Sequence, residues 1–433
     1  MQCQSIDVVV RLQCASALAW PKLYVMTTVP VSPMPPRRKT LAVGGFAHFV
    51  HDGFTDCIYV LLPLWAAAYA LTHAEVGALK MVMAGTLAAT QVPAGLLAER
   101  WGERIVLAIG TALAGTGFIL LGWAGGFLTL AVCLAVAGMG CGTQHPLASS
   151  VISRAYAGPS RRAALGTYNF TGDLGKVAAP AAVGASAAIF GWPASTMGYG
   201  LFAVAAAFVV YALLPQAERA TSASMETPDK TNTPGGWGII DRRGYATLAS
   251  IGMIDSGVRL GFLTFLPFLL LEKGGEVTTL GLSLALVFAG GAAGKLVCGL
   301  IADRVGILRT VIITEVATGA LMASILLLPL GQILIVLPML GVALNGTSSV
   351  LYGTVGDFVD GDRQARAYGL YYTLGIGAGA MSPMLFGAVS DLRGVTVALA
   401  VIAVCVLLIL PLCAVLRPSL NAALARDGET ASR

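Results

Sequence analysis

Stretches of about 20 predominantly apolar residues, the length that crosses the hydrocarbon core of a bilayer, recur along this chain from residue 41 to residue 416. Twelve can be counted: 41–69, 75–98, 105–123, 127–151, 164–189 and 194–215, then 244–271, 277–300, 308–328, 331–356, 365–389 and 394–416. In lipid the backbone finds no water, so each run must satisfy its own N–H and C=O groups. Runs this long do so as helices, being too long for barrel strands. Composition agrees: of 433 residues, 56% are hydrophobic and 11% charged, with a mean hydropathy of +0.79, whereas soluble domains carry about 25% charged residues. The expected fold is an all-α integral membrane protein with 12 transmembrane helices.

Lysine and arginine set the expected orientation. Arg37, Arg38 and Lys39 precede span 1, and Arg100, Arg104, Arg154, Arg161, Arg162, Arg242, Arg243, Arg304, Arg309, Arg363, Arg366 and Arg417 fall on the same side. The other side carries little beyond Lys273 and Arg393. Both termini are therefore expected in the cytoplasm, with the protein in the inner membrane of a bacterium, and the net charge of +5 reflects insertion topology instead of nucleic-acid binding. The eight cysteines show no metal or redox spacing; Cys57, Cys133, Cys141, Cys298, Cys405 and Cys413 lie in spans, as small hydrophobes. No cofactor or metal is expected.

Residues 1–40 read as a poorly ordered leader. The run CASALAW is too short to span and RRKT is already a cytoplasmic flank, which favours a true start at Met26 or Met34 over a signal peptide. Residues 216–243, rich in Pro, Gly, Ser and Thr, read as a cytoplasmic linker between six-helix halves at 41–215 and 244–416, with a cytoplasmic tail over 417–433.

The halves repeat one another. GLLAERWG from Gly95 returns as GLIADRVG from Gly299, 204 residues on. Gly166, Tyr168, Gly172 and Pro180 match Gly369, Tyr371, Gly375 and Pro383, each 203 apart, and Gly138 matches Gly341 at the same spacing. Asp52 of span 1 matches Asp255 of span 7, again 203 apart. Two parallel six-helix repeats follow.

These features resemble the major facilitator superfamily of transporters over roughly residues 41–416. The family motif between helices 2 and 3 is matched by Gly95, Glu99, Arg100, Gly102 and Arg104, and again by Gly299, Asp303, Arg304, Gly306 and Arg309. Within that superfamily, AHFVHD on span 1 and GMGCGTQHPLASSVISR on span 4 resemble the fosmidomycin-resistance type of exporter, the matching residues being His48, Asp52, Gly138, Gly140, His145 and Pro146. The resemblance implies a central cavity lined by helices 1, 4, 7 and 10, which gathers His48, Asp52, His145, Asp255 and Asn345.

Ionisable groups within a bilayer are costly, and they face a partner or an aqueous cavity. Residues 48, 52 and 56 form one stripe on span 1 at helical spacing, and His51 lies on its flank. Asp52, His48 and Asp255 are the proton-coupling candidates; the alternative is that Asp52 and His48 only tie helices together. His145 precedes Pro146, which frees the carbonyl of Gly142 and kinks the helix. Asp173 with Lys176, and Asp255 with Arg259, are spaced to pair along their own helices, as gates or as static ion pairs. His145, Asp173, Lys176 and Arg259, with Asn345, Tyr371 and Tyr372, are the candidates for the substrate cavity; Lys80, Lys295 and Glu315 complete the intramembrane set. At the cytoplasmic end, the two loop motifs together with Arg154 and Asp357, 203 apart, are expected to form a charge network that holds the outward-facing state.

Small residues in GTALAGTG, GMGCG and GIGAGA allow close helix contact, and GIGAGA lacks the strand context of a nucleotide loop. GKVAAPAAVG on span 5 is a degenerate form of the antiporter motif, with Ala179 before Pro180. The leading expectation is a proton-coupled exporter of a small organic or drug-like compound, acting as a monomer by alternating access. The alternative is proton-coupled import of an organic anion, with Arg259 or Lys176 receiving its charge. A membrane enzyme is disfavoured because no nucleophile or metal cluster gathers at one interface, and a sensor because no output domain follows Arg417.

Overall fold

Helix follows helix here because the bilayer leaves no other way to satisfy the backbone, and several of the reversals fall on glycine. The computed structural model describes residues 37–156, 160–215, 238–359 and 364–431. The leader up to residue 36 and most of the linker lie outside the described residues. The helices are α1 (Arg37–Tyr69), α2 (His73–Trp101), α3 (Glu103–Leu121), α4 (Phe127–Cys141), α5 (Gln144–Ala155), α6 (Ser160–Leu213), α7 (Arg242–Glu272), α8 (Val277–Val305), α9 (Ile307–Leu327), α10 (Leu330–Thr354), α11 (Gln364–Arg393), α12 (Val395–Val406) and α13 (Ile409–Ala431).

Ten stretches have the length and hydropathy to cross a membrane, one of them running from Ala163 to Leu213. That one is two crossings joined at Gly191, where φ is 78°. Helix α1, whose histidines and aspartates lower its hydropathy, completes twelve. The fourth crossing is broken between α4 and α5 at Gly142 and Thr143, four and three residues before Pro146, the position at which that proline removes a helical bond. The last helix runs on past Arg417 to Ala431, through the stretch read as a tail.

The repeat is visible in the backbone. Gly102 and Gly306 turn α2 into α3 and α8 into α9 with φ of 88° and 92°; Gly191 and Gly394 turn the fifth crossing into the sixth and the eleventh into the twelfth with φ of 78° and 87°. Only a residue without Cβ adopts such angles at little cost. The copies stay 204 residues apart through α3 and 203 apart from α4 onward, because one residue is lost between the third and fourth crossings in the second copy.

That change corrects one correspondence. Asp52 lies before the lost residue, so its structural counterpart is Ser256, and the counterpart of Asp255 is His51. Four equivalent pairs establish this. His48 stacks on Tyr168 as Gly252 lies under Tyr371. Gly53 faces Ala179 as Gly257 faces Ser382. Lys176 reaches Asp52 as Gly379 abuts Ser256. His51 bonds Thr111 as Asp255 neighbours Glu315.

The apolar core shows how the halves meet. One large cluster draws on both halves, including Phe54, Trp65 and Phe118 from the first and Phe262, Phe265 and Leu337 from the second. It lies towards the face away from the basic loops. Towards the basic face each half has its own core, around Val106 and Ile152 in the first and around Val311 and Phe358 in the second. The halves are thus joined at the far face and separate at the basic face. Glycines repeat the asymmetry: a Cβ on Gly77, Gly281 or Gly387 would strike backbone of the opposite half within 2.4 Å, whereas one on Gly95, Gly299 or Gly369 would meet nothing within 4 Å.

A polar clamp completes the far face. Asp391, near the end of α11, accepts from the amides of His73 (2.7 Å) and Ala74 (3.0 Å), capping the N-terminus of α2 from the other half, where the helix dipole favours an anion. Its carboxylate also lies 3.3 Å from His73 Nδ1. Asp391→Ala is expected to weaken this closure by about 1 kcal/mol, roughly five-fold in population. Spin labels at Ala68→Cys and Leu392→Cys would report a larger share of the longer distance in the variant.

Candidate functional site

At the centre of the first half four side chains converge. Helix α1 supplies Asp52 and, one turn earlier, His48, with Nε2 3.3 Å from Asp52 Oδ2. The break before α5 brings His145 Nε2 to 3.7 Å from Oδ1, and α6 brings Lys176 Nζ to 3.4 Å from Oδ2. Gly172, one turn before Lys176, makes the approach possible, since a Cβ there would lie 2.6 Å from Asp52 Oδ2 and from the His48 ring.

The proton arrangement can be read from partners. His48 Nδ1 lies 2.8 Å from the carbonyl of Tyr168, which only accepts, so Nδ1 carries a hydrogen. An attractive contact between Nε2 and the Asp52 carboxylate then requires a second proton shared between them. His51, by contrast, is satisfied locally. Thr111 gives its hydroxyl proton to Leu107 O (2.8 Å) and accepts from His51 Nε2 at 2.8 Å, leaving Nδ1 as the bare nitrogen.

The pairs expected along single helices do not form. Asp173 is held by Lys295 of α8, at 2.6 and 2.8 Å, and Lys176 turns to Asp52. Residues three apart on a helix diverge in direction enough for each to reach a different neighbour, and α6 lies between α1 and α8. Among the described residues Asp255 and Arg259 likewise make no ion pair within 4.0 Å, and Arg259 Nε is buried with no hydrogen-bond partner. Asp255 is buried near Glu315, so the two aspartates do not form one centre.

Between the halves lies a cavity with about 460 Å³ of unfilled space, part of it open to solvent. Its wall carries Lys176, Arg259 and Lys295 together with Asp56, Asp173 and Asn345, and apolar surface from Leu263 and Phe288. Lys295 bridges the halves through Asp173. Lys80 is a tie, donating to the carbonyl of Thr55 at 2.7 Å with its ammonium 4.0 Å from the Tyr59 ring centre. Tyr371 is buried against Gly252, and Tyr372 is exposed with its ring 4.8 Å from Tyr352.

At the basic face Arg154 pairs with Glu103 at 2.5 Å and donates to Ser150, which ties α5 to the start of α3 within the first half. Glu103 was no candidate in the sequence, although it stands directly after the motif glycine Gly102. Arg104 lies 5.1 Å from the Tyr211 ring centre, and Glu99, Arg304 and Arg309 are exposed. The side chain of Asp303 lies outside the described ones.

The profile of the Major Facilitator Superfamily matches residues 44–375 and 262–431. The chain is 25% identical over 390 residues to the uncharacterised MFS-type transporter YfnC of Bacillus subtilis, covering 88% of this chain and 92% of that one. It is 22% identical to a probable 4-methylmuconolactone transporter of Cupriavidus pinatubonensis, over 82% and 84% of the two chains. Among solved structures it superposes on a bacterial homologue of the human lysosomal transporter Spinster, inward-facing and unoccupied, with a TM-score of 0.76 at 16% identity over 91% and 99% of the chains. The nucleoside transporter NupG gives 0.71 at 14% identity, over 88% and 99%.

The close fit at Gly172 is testable. Gly172→Ala is expected to force Asp52 and His48 apart and to lower stability in detergent by about 1–3 kcal/mol, as overpacking does. Gly166→Ala on the same helix, where a Cβ meets nothing within 4 Å, should leave the melting temperature unchanged or raise it.

Proposed function

The chain belongs to the major facilitator superfamily, and we propose that it is a proton-coupled secondary transporter that imports a small organic anion by alternating access. The observation that carries this reading is the charge of the cavity wall. Three cations stand there against two carboxylates, and among the described residues Arg259 is in no ion pair within 4.0 Å. A half-buried guanidinium is a ready partner for a carboxylate, which it holds through two parallel hydrogen bonds. Apolar surface from Leu263 and Phe288 suits the hydrocarbon part of a small organic acid.

Proton coupling rests on the His48–Asp52 contact, which needs a shared proton to be attractive. Direction follows from the membrane potential. Moving one negative charge out of a cell whose interior is negative is favourable by about 2.3 kcal/mol per 100 mV, so export of an anion needs no proton. Import opposes the potential and does. On the orientation set by the basic loops, the separated face is cytoplasmic, the site sits in the bacterial inner membrane, and a single subunit suffices.

Export of a drug-like compound is the second reading. It is favoured by the span 1 and span 4 motifs resembling the fosmidomycin-resistance exporters, because they supply His48, Asp52 and His145 to the cluster. The two readings part in cells. Expression should raise accumulation of labelled organic acids and an uncoupler should abolish the gain; lowered accumulation restored by the uncoupler would instead establish export.

Two variants test the assigned parts in proteoliposomes. Asp52→Asn is expected to lose uphill, proton-driven uptake while retaining substrate counterflow; unchanged uphill uptake would remove Asp52 from coupling. Arg259→Gln should raise the KM for the anion by roughly 30-fold, the effect of about 2 kcal/mol for a buried charge left unpaired. An unchanged KM would place the carboxylate elsewhere.

A further inference from the structure

The space between His48 and Asp52 suits an electrophile larger than a proton. Three donor atoms, His48 Nε2, a carboxylate oxygen of Asp52 and His145 Nε2, all lie within 4.8 Å of one another. His48 Nε2 lies 3.3 Å from Asp52 Oδ2, and His145 Nε2 lies 3.7 Å from the other oxygen, Oδ1. Ligands at about 2.0–2.2 Å from a tetrahedral zinc ion stand roughly 3.3–3.5 Å apart, so small movements would seat a metal among them. Two histidines and one carboxylate form a common donor set for first-row divalent ions.

The surroundings point the same way. His48 Nδ1 bonds the Tyr168 carbonyl at 2.8 Å, the outer partner that fixes a ligating histidine's tautomer and orientation and leaves Nε2 basic. That Nε2 is buried, with the Asp52 carboxylate 3.3 Å away. The Tyr168 ring, stacked on His48 at 4.1 Å and 20°, holds the imidazole plane. Gly172 leaves the wall beside both ligands bare of a side chain. His145, with 49% of its side chain exposed, leaves one side of the group uncovered by protein, where an ion could enter and take a fourth ligand.

We propose that His48, Asp52 and His145 form a binding site for a first-row divalent transition-metal ion, zinc above all, with the fourth position left to water. Lys176 is its competitor, because the ammonium 3.4 Å from Asp52 Oδ2 supplies the positive charge that the ion would bring. When a metal enters, Lys176 has Asp56 and Asp173 within electrostatic reach. Metal and proton then compete for the same nitrogen lone pair, and an occupied site arrests transport. The binding claim stands by itself; the arrest rests on the proton-coupled reading above.

The test uses the full chain without a histidine tag, purified in detergent and titrated with cobalt(II), whose intense visible absorption marks tetrahedral coordination. One equivalent is expected to bind and to be displaced by zinc. His145→Ala, at a half-exposed position, should keep a normal melting temperature and weaken cobalt binding at least ten-fold. Lys176→Met should tighten it. Absence of a tetrahedral cobalt spectrum, or a spectrum that persists unchanged in His145→Ala, would overturn the site. Zinc should also block proton-driven uphill uptake in the wild type at the concentration that displaces cobalt. Stoichiometric binding without that block would leave the metal site standing and count against the coupling role of the cluster.

Discussion

A carboxylate in a hydrocarbon slab must be met by protons or positive charge from the protein itself, and Asp52 is met from three directions. His48 comes from its own helix, His145 from the broken fourth crossing and Lys176 from the fifth. Much of the local architecture answers that demand. The interruption at Gly142 and Thr143 turns α5 so that His145 points inward, Gly172 clears the space for α6 to approach, and the Tyr168 carbonyl fixes the His48 ring. Loss of Lys176, the one permanent cation among the three, leaves a buried charge undercompensated, the situation in which broken ion pairs are most damaging.

The second half keeps the frame and drops the chemistry. Where the first half has His48, Asp52, His145 and Lys176, the second has Gly252, Ser256, Ser348 and Gly379 at equivalent places. Glycine turns, helix lengths and close helix contacts recur because they satisfy the backbone and the lipid, and both copies face that requirement equally. The charges of this cluster do not recur, and a second set would carry its own desolvation cost. What the second half adds is Arg259 and Lys295, both directed to the cavity between the halves.

Much of the fold was legible in the sequence, since the length of an apolar run and the position of a glycine turn are local properties. Gly102 and Gly306 could be aligned by motif alone. The meeting of Asp52, His48 and His145 was readable too, from the cost of ionisable residues in spans and from the family resemblance. Partners were not. The spacing of Asp173 and Lys176 permits a pair on one helix, but which ion pair forms depends on which foreign helix lies alongside, and Lys295 sits 122 residues away. The match of Asp52 to Asp255 failed for a related reason. One residue lost in a loop between the third and fourth crossings shifts the register by one, and only contacts such as His51 with Thr111 reveal where.

Lys176 connects the two parts of the proposed site. It is 3.4 Å from Asp52 on one side and forms part of the cavity wall beside Arg259 and Asp173 on the other. A single ammonium cannot fully serve both an internal carboxylate and an incoming one. If an anionic substrate draws Lys176 towards the cavity, Asp52 loses its nearest permanent cation, and a proton on the His48–Asp52 pair becomes the means of balancing it. Substrate binding and proton binding then favour each other through one side chain, which is the thermodynamic content of symport. The same competition explains why the His48, Asp52 and His145 triad admits a metal only against Lys176, and why the charge of that one residue sets which cation the centre holds.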